Sequence, residues 1–312
     1  MTERDAGQQV ERFTDPSDPR VADYTGLRDA TLRRRGGAFI AEGELVIRRA
    51  AAAGYVPRSF LLAPRWVEPL RDVWSVTTAT VYVAEAEVVE SLTGFHVHRG
   101  ALAAYEREER YDAATLIARS RRLVVTEDIV DHANLGAIAR STLALGWDGL
   151  LLSSRSADPL YRRAVKSSMG VVLDLPWARA TDDAGVPRLL REAGYEVVAL
   201  ALRDDAVTLD EVASRHAGLD TKLALMLGTE GPGLSDAWVD GADTVVMIPM
   251  AAGVDSLNVA AAAAVAAYAL RRGRVSGARP GRTAASPRWA SRPGSGTPSP
   301  RPSSAAIGDA CR

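Results

Sequence analysis

Residues able to do chemistry are concentrated in three short stretches rich in glycine and small polar side chains: "DHANLGAIAR" (131–140), "GTEGPGLS" (228–235) and "MAAGVDSLN" (250–258). In the first, Asn134 can cap a helix, Gly136 falls in its first turn and Arg140 follows six residues after Asn134. Leu135, Ile138, Ala139 and Leu143 surround Arg140 on that helix, so its cation either snorkels to water or is held for a ligand. In the second, Gly228, Gly231 and Gly233 permit positive φ or a close backbone approach, Glu230 is the one carboxylate among them, and Ser235–Asp236 can cap the next helix. This loop is not GxGxxG and lacks the lysine of a phosphate-binding loop, which disfavours an ordinary nucleotide fold. In the third, Gly253 permits a turn, Asp255 or Ser256 can cap, and Asn258 opens the lean helix "VAAAAAVAAY". Taken singly, each loop is a tight turn joined to a capped or closely packed helix.

The elements that must position these loops follow from hydrophobic patterning. From Arg122 onward, "RLVVTED", "GLLLSS", "VVLDLPW", "YEVVALAL", "KLALMLG" and "DTVVMIP" read as strands separated by helical stretches, the pattern of a mainly parallel sheet covered on both faces. Ligands of such sheets sit beyond the carboxyl ends of the strands, where all three loops fall. The first 110 residues alternate too: helices in "VADYTGLRDATLRRRG", "ELVIRRAAAAG" and "EAEVVESLTG", strands in "AFIAEG", "SFLLA", "ATVYVAE" and "GALAAYE". This predicts a small α/β sandwich, with "EREERYDAATLIARSRR" as a polar connector. The predicted organisation is residues 1–110 as a first domain, 111–272 as a second and 273–312 as a disordered tail, since that tail is rich in Pro, Ser, Gly and Arg and has few aliphatic residues.

Composition limits the function classes. A chain of 312 residues with 47% hydrophobic and 25% charged residues can bury a real core. The single cysteine, Cys311, supports neither a disulfide framework nor a cysteine zinc site. His96 and His98 would share one strand face, but with no third ligand nearby they read as an ordinary strand end rather than a metal site. No apolar run reaches the roughly 20 residues of a membrane span, and the first twenty residues carry charge where a signal peptide needs an apolar core, so a cytoplasmic protein is expected. Residues 271–312 hold nine arginines and one aspartate, which leaves −9 for residues 1–270 of the total −1. An acidic body argues against nucleic-acid binding by bulk charge while leaving room for a local patch. Only Lys166 and Lys222 are lysines among 38 basic residues, a bias that suits phosphate contacts but reads more simply as genomic composition.

Taken together and in order, "NLGAIAR", "LGTEGPGLS" and "IPMAAGVDSLNVAAAAAVAAY" resemble the three signature motifs of the SpoU (TrmH-type) branch of the SPOUT RNA methyltransferases. The resemblance spans about Arg122 to Arg272 and includes "YRRAVKSSMG"; "FIAEGELVIRRA" more loosely resembles the family's N-terminal substrate-binding domain, related to kink-turn-binding ribosomal proteins. It implies an α/β fold with a SPOUT trefoil knot, a rare exception to unknotted chains, and a smaller N-terminal α/β RNA-binding domain. It also implies S-adenosylmethionine as cofactor, held through backbone groups at Gly228, Ile248 and Leu257, and a homodimer with active sites at the subunit interface. Arg140 matches the family's catalytic arginine, Asn134 and Glu230 would fix it and the loops, and Ser256 and Asn258 would hold the knot loop. A guanidinium is a cation at neutral pH, so the expected role of Arg140 is to grip a phosphate and stabilise a developing alkoxide rather than to take the proton. Asp255 and Ala252 depart mildly from the family's usual glutamate and glycine. The expected activity is methyl transfer to a ribose 2′-hydroxyl of structured RNA, ribosomal before transfer RNA and including the antibiotic-resistance form of such an enzyme, with a non-catalytic RNA-binding or ribosome-assembly factor as the rival. A nucleotide-dependent oxidoreductase lacks its glycine fingerprint.

Overall fold

The structure is a computed structural model that describes residues 9–25, 27, 37–94, 100–216, 221–251 and 256–272, all within one compact unit, Met1–Arg274. Its N-terminal part runs β1 (Val10–Arg12), β2 (Ala38–Glu42), α1 (Glu44–Ala52), β3 (Pro57–Leu62), α2 (Pro64–Val67), α3 (Arg71–Trp74), β4 (Thr80–Val83), α4 (Ala86–Thr93) and β5 (Ala101–Glu106). These strands form a mixed sheet of order β1-β4-β3-β5-β2, with β5 antiparallel to both its neighbours. α4 ends where Gly94 takes a left-handed conformation (φ 77°), as its place after the last apolar residue predicts.

The second part begins inside the expected polar connector, where Asp112 caps a short helix, α5 (Ala113–Arg119), by accepting from Thr115 N. Then follow β6 (Arg122–Thr126), α6 (His132–Ala144), β7 (Gly149–Leu152), α7 (Arg162–Ser167), β8 (Trp177–Arg179), α8 (Val186–Glu192), β9 (Glu196–Leu200), β10 (Val207–Thr208), α9 (Leu209–His216), β11 (Leu223–Leu227), α10 (Asp236–Asp240), β12 (Thr244–Met247) and α11 (Val259–Ala269). All seven strands are parallel, in the order β10-β12-β9-β11-β6-β7-β8. Strands β6, β7 and β11 are buried along their whole length, which explains their unbroken apolar runs. Alternate residues feed the two faces: Val124 packs with α6 and α11, whereas Leu123 and Val125 pack with α5, α8 and α10.

The stretch "VVLDLPW" departs from its strand reading: Val171–Leu173 is a 3-10 turn following Gly170 in left-handed geometry (φ 77°), and the strand begins only at Trp177. In "VADYTGLRDATLRRRG" only a 3-10 helix, Pro19–Tyr24, is described, and Arg33 to Arg35 lie outside the described residues. His96, His98, Ala252, Gly253, Asp255 and the 273–312 tail lie outside them as well.

One apolar cluster runs from Phe39, Phe60 and Tyr105 of the first sheet through to Val124, Leu150 and Leu225 of the second, so the two sheets share a core. Ion pairs close the seam. Glu42, with a side chain 9% exposed, meets Arg162 and Lys166 of α7 at 3.1 Å each. Arg107 meets Asp158, only 3% exposed, at 2.8 Å, and Arg49 donates to Met169 O at 2.9 Å and faces Asp174. Burial pushes the Asp174 carboxyl up, with Arg49 opposing. No described helix is long and apolar enough to cross a membrane.

Candidate functional site

The three loops converge at the carboxyl ends of the sheet. α6 starts there because Asp131, not Asn134, caps it: Asp131 Oδ1 accepts from Ala133 N (2.9 Å) and Asn134 N (2.8 Å). That leaves the Asn134 side chain free to reach across the loops. Its Nδ2 donates to Glu230 Oε1 at 3.0 Å, while its Oδ1 accepts from Asn258 Nδ2 at 3.0 Å. Asn258 Nδ2 also donates to Glu230 Oε1 at 2.8 Å, closing a triangle among residues up to 124 positions apart in sequence. With its Oδ1 Asn258 accepts from Ala260 N and Ala261 N, so it caps α11 in place of Asp255 or Ser256. One side chain therefore starts the helix and ties its loop to the other two.

The glycine loop is folded onto itself. Thr229 and Gly233 bridge, Gly231 and Gly233 hold φ of 89° and 76°, and a Cβ on Gly228 would stand 2.1 Å from both Gly233 C and Leu234 N. Only glycine fits position 228. Ser235 begins α10 without capping it; its N and Oγ donate instead to the Glu127 carboxylate at 2.7 and 2.6 Å, anchoring the loop to the end of β6. Glu127 is a site residue that sequence reading missed, and its signal was a carboxylate placed directly after a buried strand.

Beside this loop opens a cleft of about 640 Å³, bounded by the ends of β9, β11 and β12. Gly228, Ile248, Leu257, Glu230, Ser256 and Asn258 all line it, as do Leu200, Leu202 and Arg203. The volume suits one small-molecule cofactor, and the walls combine aliphatic side chains with glycine backbone. Such a lining fits a methionine-nucleoside ligand, giving apolar surface to an adenine and backbone groups to its edges.

Arg140 is not in this cleft. It is exposed on α6 and has no hydrogen bond or ion pair among the described residues, so neither Asn134 nor Glu230 holds it within the chain. On the same helix Gly136 is buried because α7 presses against it: a Cβ there would meet Ser167 Oγ at 2.0 Å and Ala164 O at 2.4 Å. At the far end of α6, Trp147 Nε1 donates to Ala267 O at 3.0 Å and locks α11 alongside.

A seven-stranded parallel sheet whose last strands and last helix close a glycine-lined cleft is the architecture of the SPOUT trefoil-knot α/β class. The SpoU rRNA methylase family model matches residues 121–268. An uncharacterized tRNA/rRNA methyltransferase of Mycobacterium bovis is 39% identical over 266 residues, 84% of this chain and 92% of the relative. An S-adenosylmethionine-bound rRNA methyltransferase from Sinorhizobium meliloti superposes with a TM-score of 0.72 at 26% identity, covering 85% of this chain and 98% of that one. A solved RNA 2′-O ribose methyltransferase gives a TM-score of 0.66 at 27% identity, covering 84% and 99%. The chain belongs to the SpoU family of RNA methyltransferases, and its methyl donor is S-adenosylmethionine.

Proposed function

We propose that this chain is a cytoplasmic ribose 2′-O-methyltransferase of structured RNA, with ribosomal RNA as substrate, working as a homodimer. The observation that carries the reading is the Asn134–Glu230–Asn258 triangle, which fixes three loops at the rim of the donor cleft while leaving Arg140 exposed and without a partner among the described residues. A scaffold that only bound RNA would have no use for so constrained a cleft rim. The likeness to a 2′-O ribose methyltransferase supports the choice of acceptor.

When bound, S-adenosylmethionine supplies an electrophilic sulfonium methyl. The chain has to present a ribose oxygen in line with it and help that oxygen lose its proton. Arg140 grips the phosphate next to the target ribose and stabilises charge developing on the oxygen, the proton passing to solvent. Gly228, Ile248 and Leu257 offer backbone groups to the donor, and Ser256 contacts donor or ribose from the cleft wall.

Dimerisation answers why Arg140 stands outside its own cleft. Ala133, Ala137 and Ala144 fall on the same helical face of α6 as Arg140, and Ala261, Val265 and Tyr268 form the exposed face of α11. Pairing these faces with a second copy buries them and brings Arg140 to the subunit contact. Residues 1–110 act as the RNA-binding domain, joined to the second sheet by the Glu42 and Arg107 ion pairs.

Arg140→Ala tests the reading. Donor affinity by calorimetry should stay within about twofold, because the side chain touches nothing in the cleft, while methyl transfer to ribosomal RNA falls by at least about 100-fold. Undiminished transfer by this variant would remove Arg140 from the chemistry.

A further inference from the structure

Most cations beside α7 are already neutralised. Arg162 and Lys166 share Glu42, Arg49 faces Asp174, Arg107 faces Asp158, and Arg155 pairs with Asp128. Arg163 is different: it is exposed and has no hydrogen bond or ion pair among the described residues, a condition it shares with Arg140 on the neighbouring helix.

Helix phase puts these two arginines on one surface. α6 and α7 run side by side in the same direction, since His132 stacks on Tyr161 at their starts (ring centroids 3.7 Å) and Gly136 meets Ala164 and Ser167 one turn later. Arg140 lies one turn beyond Gly136, and Arg163 lies one turn before Ser167. Each is therefore rotated only about 40° from a residue at the helix contact. Lys166 and Arg162 lie about 60° and 100° further round α7 than Arg163, away from the α6 contact, and reach Glu42 of the N-terminal sheet. Arg163 and Arg140 thus flank the same outer groove, about 12 Å apart along the helix direction, a span of a few nucleotides. The α11 side of that outer face carries exposed Val265 and Tyr268, with the Arg271 guanidinium stacked over the Tyr268 ring at 3.6 Å, whereas the α7 side carries Arg163.

We propose that Arg163 is a second phosphate contact for the RNA strand, gripping the backbone a few nucleotides from the phosphate held by Arg140. This rests on the RNA-methyltransferase reading of the site. In a body whose first 270 residues carry a net −9, two guanidinia with no ion pair among the described residues, on one groove, form a local anion site, and the polyanion of the right reach is an RNA strand. Arg163 is a positioning residue: it fixes the strand and does not touch the reacting oxygen.

The test uses full-length protein and deproteinised ribosomal RNA from cells lacking this chain. For Arg163→Ala, RNA affinity at about 0.1 M salt should fall about tenfold, and the slope of log affinity against log salt should become shallower by about one. Donor affinity and kcat at saturating RNA should be unchanged, and Arg163→Lys should restore the slope. Arg191→Ala, which removes an exposed cation on α8, should leave the slope alone. An unchanged slope for Arg163→Ala would overturn the proposal. So would an equal loss for Arg191→Ala, or loss of the dimer in sedimentation in place of RNA affinity. Wild-type protein that binds this RNA but never methylates it would sink the catalytic reading alone, since the salt slope is measured on binding.

Discussion

Asn258→Asp isolates the triangle at the cleft rim from the helix it caps. The substitution keeps the Oδ1 that accepts from Ala260 N and Ala261 N, and an aspartate there is favourable to the α11 dipole by about 0.5 kcal/mol. It removes the two donations to Asn134 and Glu230, each worth roughly 0.5–1.5 kcal/mol. It also sets a carboxylate oxygen where Nδ2 now stands, 2.8 Å from Glu230 Oε1. At this exposed position the dielectric is close to that of water, so the repulsion is about 1.5 kcal/mol. The net cost is roughly 2–4 kcal/mol. In a chain of this size that lowers Tm on the order of 5–10 °C, read by thermal denaturation, with weaker donor binding read by calorimetry. The double variant Asn258→Asp/Glu230→Gln reverses every donor and acceptor once the Asn134 amide flips. The introduced glutamine amide then donates to the introduced carboxylate and to Asn134, and Asn134 donates to that same carboxylate. This variant should recover more than half of the loss. Wild-type stability and donor affinity in Asn258→Asp, or no recovery in the double variant, would show that the triangle does not hold the loops.

Other substitutions test the packing and electrostatics around the site. Gly136→Ala drives a Cβ into Ser167 Oγ and the Ala164 carbonyl, so it should cost at least about 3 kcal/mol in urea unfolding. Gly228→Ala collides with backbone at 2.1 Å and should cut donor affinity at least about tenfold while far-UV circular dichroism is unchanged. Arg58 holds the Glu106 carboxyl below the usual carboxylate range, so this group contributes stability that is present above its unfolded pKa and lost as pH falls through the lower folded value. The Tm difference between wild type and Glu106→Gln should accordingly be present at about pH 6–7 and vanish as the medium is acidified below the carboxylate range.

The parts of this fold that are legible in the sequence are those where one local rule decides the outcome. β6 and β11 are nearly continuous apolar runs because a parallel sheet covered on both faces buries every residue of them, β9 and β12 keep the pattern with only Val197, Val198, Ala199 and Val246 buried, and Gly94 marks a helix end because only glycine is comfortable there. Val171–Leu173 has the composition of a strand because β-branched residues favour one, but Gly170 turns the chain against Val46 and Arg49 and leaves room for only a 3-10 turn. α5 is hidden because its apolar residues, Leu116 and Ile117, are flanked by charge, and β10 because two residues carry no period. At the site, composition picks out the loops but not the bonds between them. Asn134 has the look of a cap because asparagine often is one, yet Asp131 takes that role and frees the Asn134 amide to bond Glu230 and Asn258, partners about 100 residues away. The position of Arg140 outside the cleft depends on helix phase and on α7 packing at Gly136, which no local pattern records.

The proposed activity is tested most directly by a map of 2′-O-methyl groups across ribosomal RNA from cells with and without this chain. One nucleotide should lose its 2′-O-methyl group without the chain, and regain it with the wild-type protein but not with Arg140→Ala. A ribosomal RNA map unchanged by loss of the chain would contradict it and move the search for substrate to transfer RNA.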